Sequence, residues 1–245
     1  MKRKIILTIK IILLSLVVLG LAFAGITGVK GYSLYKDTMD GVDLQNTFDH
    51  YRSQEGYVSL DQISPTFLDA LVAVEDHRFY EHGGFDEVAF LRAVMRNLSE
   101  KSYAAGGSTI TQQLSKNLFF SFEKTLERKI AELIVAKQIE DEFSKEDILE
   151  LYVNIIYYGD SFEGIYDASW GYFKKDPIDL TVGESVVLAG LPQAPSLYAL
   201  GEHKENGIKR AYAVIDALIE RGYIQADQRE QYIESVENIQ VKVND

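Results

Sequence analysis

The chain has 245 residues, with 37 Asp and Glu against 25 Lys and Arg, a formal net charge of −12 and no cysteine. That balance argues against a protein that binds nucleic acid through its overall field. The missing cysteines exclude disulfides, thiol catalysis and thiolate metal sites.

The N-terminus opens on Met1-Lys-Arg-Lys4, followed by an apolar run that is broken by Lys10 and then uncharged from Ile11 to Val29. Nineteen residues span roughly 28 Å as a helix, close to the thickness of a bilayer's hydrocarbon core. The four bases at or before position 10 place residues 1–10 in the cytoplasm by the positive-inside rule, with the rest of the chain outside. A cleaved signal peptide competes with this reading, since Ala22-Phe-Ala24 fits a small-x-small cleavage site, but the run is long for such a segment. The expected order is therefore a basic segment over 1–10, a membrane anchor over 11–29, a polar juxtamembrane stalk over 30–62 and one domain over 63–245. Taking the four anchor bases from the net −12 leaves −16 on the remainder, so any anion site there has to be built locally from a few cations and N–H groups.

From Pro65 onward the pattern is helical. Apolar residues recur at three and four over 66–81, 86–99, 125–140, 145–157, 181–190 and 207–221. Breaks fall at Gly83-Gly84, Gly106-Gly107, Gly159, Asp176-Pro177 and Pro192 to Pro195. No stretch alternates long enough for a strand, so the domain is expected to be mainly α.

Three segments carry candidate chemistry. At the end of the 66–81 pattern, Glu75 and Asp76 precede His82 and a glycine pair; His82 there reads as a helix C-terminal cap at least as readily as a catalytic group. Gly106-Gly-Ser-Thr-Ile-Thr-Gln-Gln113 places glycines, hydroxyls and amides just before a helical pattern, and Thr109-Ile-Thr-Gln112 fits a capping box. Such a terminus offers free N–H groups and partial positive charge, which suits phosphate. In the third segment Arg128 and Glu132 form an i, i+4 pair beside Lys129. As a surface pair it is worth a few tenths of a kcal/mol; alternatively, Glu132 is a carboxylate held among cations that serve a phosphate.

Taken in order, these segments resemble the five signature blocks of the family 51 glycosyltransferases, the peptidoglycan-polymerising transglycosylases. The blocks run Glu75-Asp76-x-x-Phe79-x-x-His82-x-Gly84-x-Asp86, then Gly106 to Gln113, then Arg128-Lys129-x-x-Glu132 with Ala136 and Glu140. Ile148 to Asn154 with Gly159, Gly164, Ala168 and Tyr172-Phe173 make the fourth, and Glu184 with Leu188 to Pro195 the fifth. The likeness covers about residues 60 to 225, and departs from the pattern at Ser161 and at Ala199-Leu200. It implies a lysozyme-like fold and the polymerisation of lipid II into β-1,4-linked glycan, with inversion and with undecaprenyl diphosphate leaving. Glu75 would be the general base and Glu132 the second catalytic carboxylate, orienting cations or holding a divalent metal. Asp76, His82, Ser108, Thr109, Gln112, Gln113, Lys116, Arg128 and Lys129 would bind substrate.

The family is often aided by Mg²⁺ or Mn²⁺; no obligatory cofactor and no dedicated metal cage are expected. The expected partners are lipid II, the growing glycan and the bilayer of the bacterial cell membrane, with no nucleic acid. The chain ends at Asp245 with no K-T-G triad, so the reading is a monofunctional enzyme that relies on a separate transpeptidase or on division and elongation proteins. A muramidase or lytic transglycosylase is the nearest rival and a non-enzymatic cell-wall scaffold the second; the first needs an acid for a sugar leaving group, and the second predicts damaged blocks. Asn117 to Phe122 offers three phenylalanines for a lipid groove or for the core.

Overall fold

In the computed structural model, residues 2–100, 107–121 and 123–243 are described, without the side chains of 2–5, 9, 93, 94 and 96–100. Gly106 and Phe122, both singled out by their sequence context, lie outside the described residues. The helices in chain order are α1 (Lys2–Met39), α2 (Leu44–Arg52), α3 (Pro65–Glu75), α4 (Glu87–Glu100), α5 (Ile110–Phe119) and α6 (Leu126–Glu142). They continue with α7 (Lys145–Ile155), α8 (Gly164–Phe173), α9 (Val182–Gly190), α10 (Pro195–Tyr198), α11 (Leu200–Glu220) and α12 (Arg229–Glu237). Among the described residues there is no strand, only an isolated bridge between Tyr157 and Glu163. The fold is mainly α, as the periodicity predicts.

The core forms around α9. Its residues from Gly183 to Gly190 are all buried, and α3, α11 and α12 pack against it. An all-apolar face is not enough for a helix so enclosed; Thr181 and Glu184 close a capping box that satisfies its first N–H groups. Phe67, Tyr158, Tyr172 and Phe173 belong to the same buried core at 0–1 % exposure. On the other side of the domain α5 packs on α6 and α7, and Phe48 of α2 stacks on Phe143 with ring centroids 3.6 Å apart.

Helix α1 is one rod of 38 residues, about 57 Å at the α-helical rise, longer than a bilayer core. It is also the one helix among the described residues long and apolar enough to cross a membrane. Its side chains change surroundings along its length. Leu13, Leu16, Leu19 and Phe23 are exposed, whereas Thr27 and Gly31 are buried, Gly31 against α6. Gly31 is needed there: a Cβ would sit 2.7 Å from the Ile130 side chain and 2.9 Å from the Glu127 carbonyl. The rod thus runs through the 30–39 stretch and lies directly on the helix that carries Arg128, Lys129 and Glu132.

Two helix bounds differ from the sequence pattern in ways that matter for the site. The 66–81 periodicity extends past the helix, which stops at Glu75; Asp76 is extended (φ −157°, ψ 72°). The apolar Phe79 that prolongs the pattern is buried from a loop instead. Helix α11 starts at Leu200, ahead of the 207–221 pattern, because a short preceding helical stretch joins it across a kink at His203 (φ −127°, ψ 34°).

Candidate active site

A cleft of about 1260 Å³ runs between α3, α4, α5 and α11. Glu75, Asp76, Ser108, Thr109, Gln113, Lys116 and Arg210 all line it. The end of α3 positions Glu75. Its side chain is 8 % exposed, and the Gln113 Nε2 donates to its Oε2 at 2.9 Å. Arg210 Nη2 lies 3.9 Å from the other oxygen. Burial pushes the Glu75 pKa up, and Asp76 adds to this; the Gln113 hydrogen bond, Arg210 and Lys116 pull it back. Behind Gln113, the buried Tyr152 hydroxyl donates to its Oε1 at 3.1 Å.

Asp76 faces the protein. Both carboxylate oxygens lie 2.9 Å from His82 Nε2, and Oδ2 also accepts the Ile110 N–H at 2.9 Å. Asp76 therefore ties the loop after α3 to the first residue of α5. His82 sits on that loop beyond the helix, so the expected helix-capping role gives way to a partnership with Asp76. Gly84 completes the tie. Its carbonyl accepts from Thr109 Oγ1 at 2.7 Å and from Gln112 Nε2 at 3.1 Å. Its φ of +85° and the Ala136 carbonyl 3.1 Å from any added Cβ leave room for glycine alone.

The expected helix start at Thr109 forms, with its hydroxyl accepting from Gln112 N. The rest of the capping box does not. Gln112 is 1 % exposed and sends its amide to the Gly84 carbonyl and to Lys129 Nζ, which bonds its Oε1 at 2.8 Å. A buried carbonyl and a cation are stronger claims on that amide than an N-cap N–H. With Ile110 N taken by Asp76 and Gln112 N by Thr109, the α5 terminus offers fewer free N–H groups than the sequence suggests.

Positive charge beside the cleft comes from side chains instead. Glu132 is 2 % exposed, so the Arg128–Glu132 pair is no surface pair. Arg128 Nε lies 2.9 Å from Glu132 Oε1 as an ion pair without hydrogen-bond alignment, and Lys129 Nζ lies 3.3 Å from Oε2. Lys129 also donates to Ser108 Oγ at 3.0 Å. Burial lowers the pKa of Lys116 and of Lys129, partly offset by Glu132. Two cations pair with one buried carboxylate and Lys116 adds a third positive charge within electrostatic reach, a net positive centre in an acidic protein.

Neither donor set near the cleft is built as a cage for Mg²⁺ or Mn²⁺. Asp76, His82 and Asp86 each place one atom within 4.8 Å of the others. Asp76 is committed to His82 and Ile110, and Asp86 Oδ1 to Arg78 and the Ala89 N–H. Asp86 Oδ2 and His82 Nδ1 remain without partners, too few for a hard cation that wants several oxygens. The Glu132 carboxylate is taken by Arg128 and Lys129.

Sequence reasoning gave no site role to Arg210, to Tyr152 or to the apolar face beside the cleft. Arg210 stands in an ordinary amphipathic helix without a local signal, and Tyr152 falls within the fourth block, whose pattern alone does not say that its hydroxyl reaches Gln113. Val88, Phe90, Leu91 and Met95 on α4 are all exposed, and Phe85 is partly so. Of the three phenylalanines expected in a groove or in the core, Phe119 and Phe120 pack partly buried against the core.

The described residues thus form a helical domain with a buried carboxylate, Glu75, in a cleft that Lys116 and Arg210 also line, and with the Arg128–Lys129–Glu132 cluster beside it. Residues 40–219 match the family model described as Transglycosylase, and the chain belongs to that family. It is 44 % identical over 177 residues to penicillin-binding protein 1A of Aquifex aeolicus, covering 72 % of this chain and 24 % of that protein. Penicillin-binding protein 1F of Bacillus subtilis is 42 % identical over 176 residues, covering 72 % and 25 %. The chain thus spans about a quarter of the length of these relatives. A crystal structure of penicillin-binding protein 1A from Haemophilus influenzae aligns with a TM-score of 0.45 at 20 % identity, over 76 % of this chain and 18 % of that one.

Proposed function

We propose that this chain polymerises lipid II into β-1,4-linked peptidoglycan glycan, with the growing strand as donor. Glu75 takes the proton from the acceptor's 4-hydroxyl as that oxygen attacks the donor's anomeric carbon. The bond from that carbon to the diphosphate breaks, and the configuration inverts because attack and departure lie on opposite faces. Undecaprenyl diphosphate leaves as an anion, so it needs positive charge more than a proton. Lys116, Arg128, Lys129 and the Ser108 hydroxyl meet it. Thr109, Gln112, Asp76 and His82 serve by holding the walls: Gln112 fixes Lys129, and Asp76 and His82 fix the start of α5.

The observation that carries this reading is the contrast between the two buried glutamates. Glu75 has a raised pKa and no cation within hydrogen-bond reach, as a base poised toward neutral pH requires. Glu132 is instead held by Arg128 and Lys129, so its carboxylate is committed to cations and is not free to meet the oxygen of a sugar leaving group. The domain sits on the outer face of the cell membrane, with α1 as anchor, the N-terminus in the cytoplasm and the exposed α4 face toward the lipid. Cross-linking of the glycan falls to a transpeptidase outside residues 1–245.

The test is polymerisation of labelled lipid II in detergent by the intact chain and by Glu75→Gln. Long glycan from the first and about a hundredfold less or lower still from the second is expected, in line with the contribution of a positioned base. Cleavage of supplied glycan without polymer would favour the muramidase instead.

A further inference from the structure

We infer that Tyr152 is a positioning residue for this reaction: its buried hydroxyl fixes the Gln113 amide so that the amide's NH₂ group, and not its oxygen, faces Glu75. The inference rests on Glu75 being the base.

A glutamine side chain can present either end of its amide to a neighbour, and here the two ends have opposite effects on a carboxylate. With Nε2 toward Glu75 the amide donates and favours the ionised, proton-accepting form. With Oε1 toward Glu75 two acceptors meet, and only the protonated acid is comfortable. The far side of the amide holds the choice in place: a phenol can donate or accept, and here its proton goes to the amide oxygen. Tyr152 Oη lies 3.1 Å from Gln113 Oε1, while Gln113 Nε2 lies 2.9 Å from Glu75 Oε2. Tyr152 is 0 % exposed, so no bulk water competes for its hydroxyl. It comes from α7, which packs on α5, so the relay joins three helices: α7, α5 and the end of α3.

The tyrosine is suited to a fixed task. Burial raises its pKa well above the ordinary tyrosine value, with Glu75, Tyr158 and Asp76 adding to the rise, so it stays a neutral hydroxyl throughout the working range. The other charged groups facing Glu75 are Asp76 beside it, Lys116 from α5 and Arg210 from α11. Among the described residues the Tyr152 hydroxyl is the donor that meets the Gln113 oxygen, so the orientation of the amide depends on it. A residue that merely filled the core at 152 would serve as well without its oxygen.

Tyr152→Phe in the full chain removes that oxygen and keeps the ring. The experiment reads kcat/KM for lipid II across pH, for wild type, Tyr152→Phe, Gln113→Leu and the double variant, with circular dichroism to confirm folding. Loss of the donated bond raises the Glu75 pKa, so the acid limb of the Tyr152→Phe profile is expected to move to higher pH. On that limb kcat/KM should fall roughly three- to tenfold, the weight of one hydrogen bond, with the plateau near wild type. Gln113→Leu should move the limb in the same direction, and Tyr152→Phe should add nothing in that background. The double variant replaces both partners by apolar groups and is expected to fold even where the single does not. An unmoved acid limb in Tyr152→Phe, or a further full loss in the double variant over Gln113→Leu, overturns the inference. Substantial polymer from Glu75→Gln in the same assay would instead overturn the base assignment beneath it, so the two failures are distinguishable.

Discussion

Replacing Asp76 by Ala removes the tie between the loop after α3 and the start of α5. The carboxylate is 4 % exposed and holds two buried donors, His82 Nε2 and the Ile110 N–H, each at 2.9 Å. His82 has no alternative: its Nδ1 is already buried without a partner. A buried donor left unsatisfied costs about 1–3 kcal/mol, so two lost partners give about 2–6 kcal/mol, and water entering the vacated space brings the expectation to about 3 kcal/mol. For a domain of this size 1 kcal/mol shifts Tm by about 2–4 °C, so Asp76→Ala should melt about 6–12 °C below wild type. Asp76→Asn keeps one acceptor oxygen and should lose about half as much. Thermal unfolding of the full chain in detergent, followed by near-ultraviolet circular dichroism, reads both. An Ala variant that melts within about 2 °C of wild type would refute the reasoning and return Asp76 to a role in substrate contact.

Two further predictions concern charge and backbone. Polymerisation should follow a bell-shaped pH profile: activity falls as pH drops through the Glu75 pKa, which burial holds above the ordinary carboxylate value, and falls again as pH rises through the lowered pKa values of Lys116 and Lys129. A profile flat between mildly acidic and strongly alkaline pH would contradict these assignments. Gly84→Ala places a Cβ 3.1 Å from the Ala136 carbonyl at a φ of +85°, and should destabilise the chain by about 1–3 kcal/mol, read as a lowered urea midpoint.

The helical class, the membrane-length run and most helix starts were legible in the sequence because they rest on local physics. Periodicity marks a buried face, Thr109, Thr125, Ser144 and Thr181 cap helices through their own side chains, and glycine pairs break them. The blocks carrying Glu75, Gln113, Lys129 and Glu132 were equally legible, since their residue types sit close together along the chain. Helix ends were less so, and Phe79 shows why. A buried aromatic at helical spacing looks the same from a loop.

Only the tertiary structure decided what each polar group is spent on. Gln112 reads as a cap and bonds Lys129 and Gly84, and His82 reads as a helix-end residue and bonds Asp76. Arg210 carries no local signal and Tyr152 reads only as one position of the fourth block, yet they flank Glu75 from α11 and, through Gln113, from α7. Their partners lie 135 and 39 positions away along the chain. A local pattern records which face of a helix is apolar. Which donor meets which acceptor depends on how separate helices pack, and burial then makes each of those pairings costly to leave unmade.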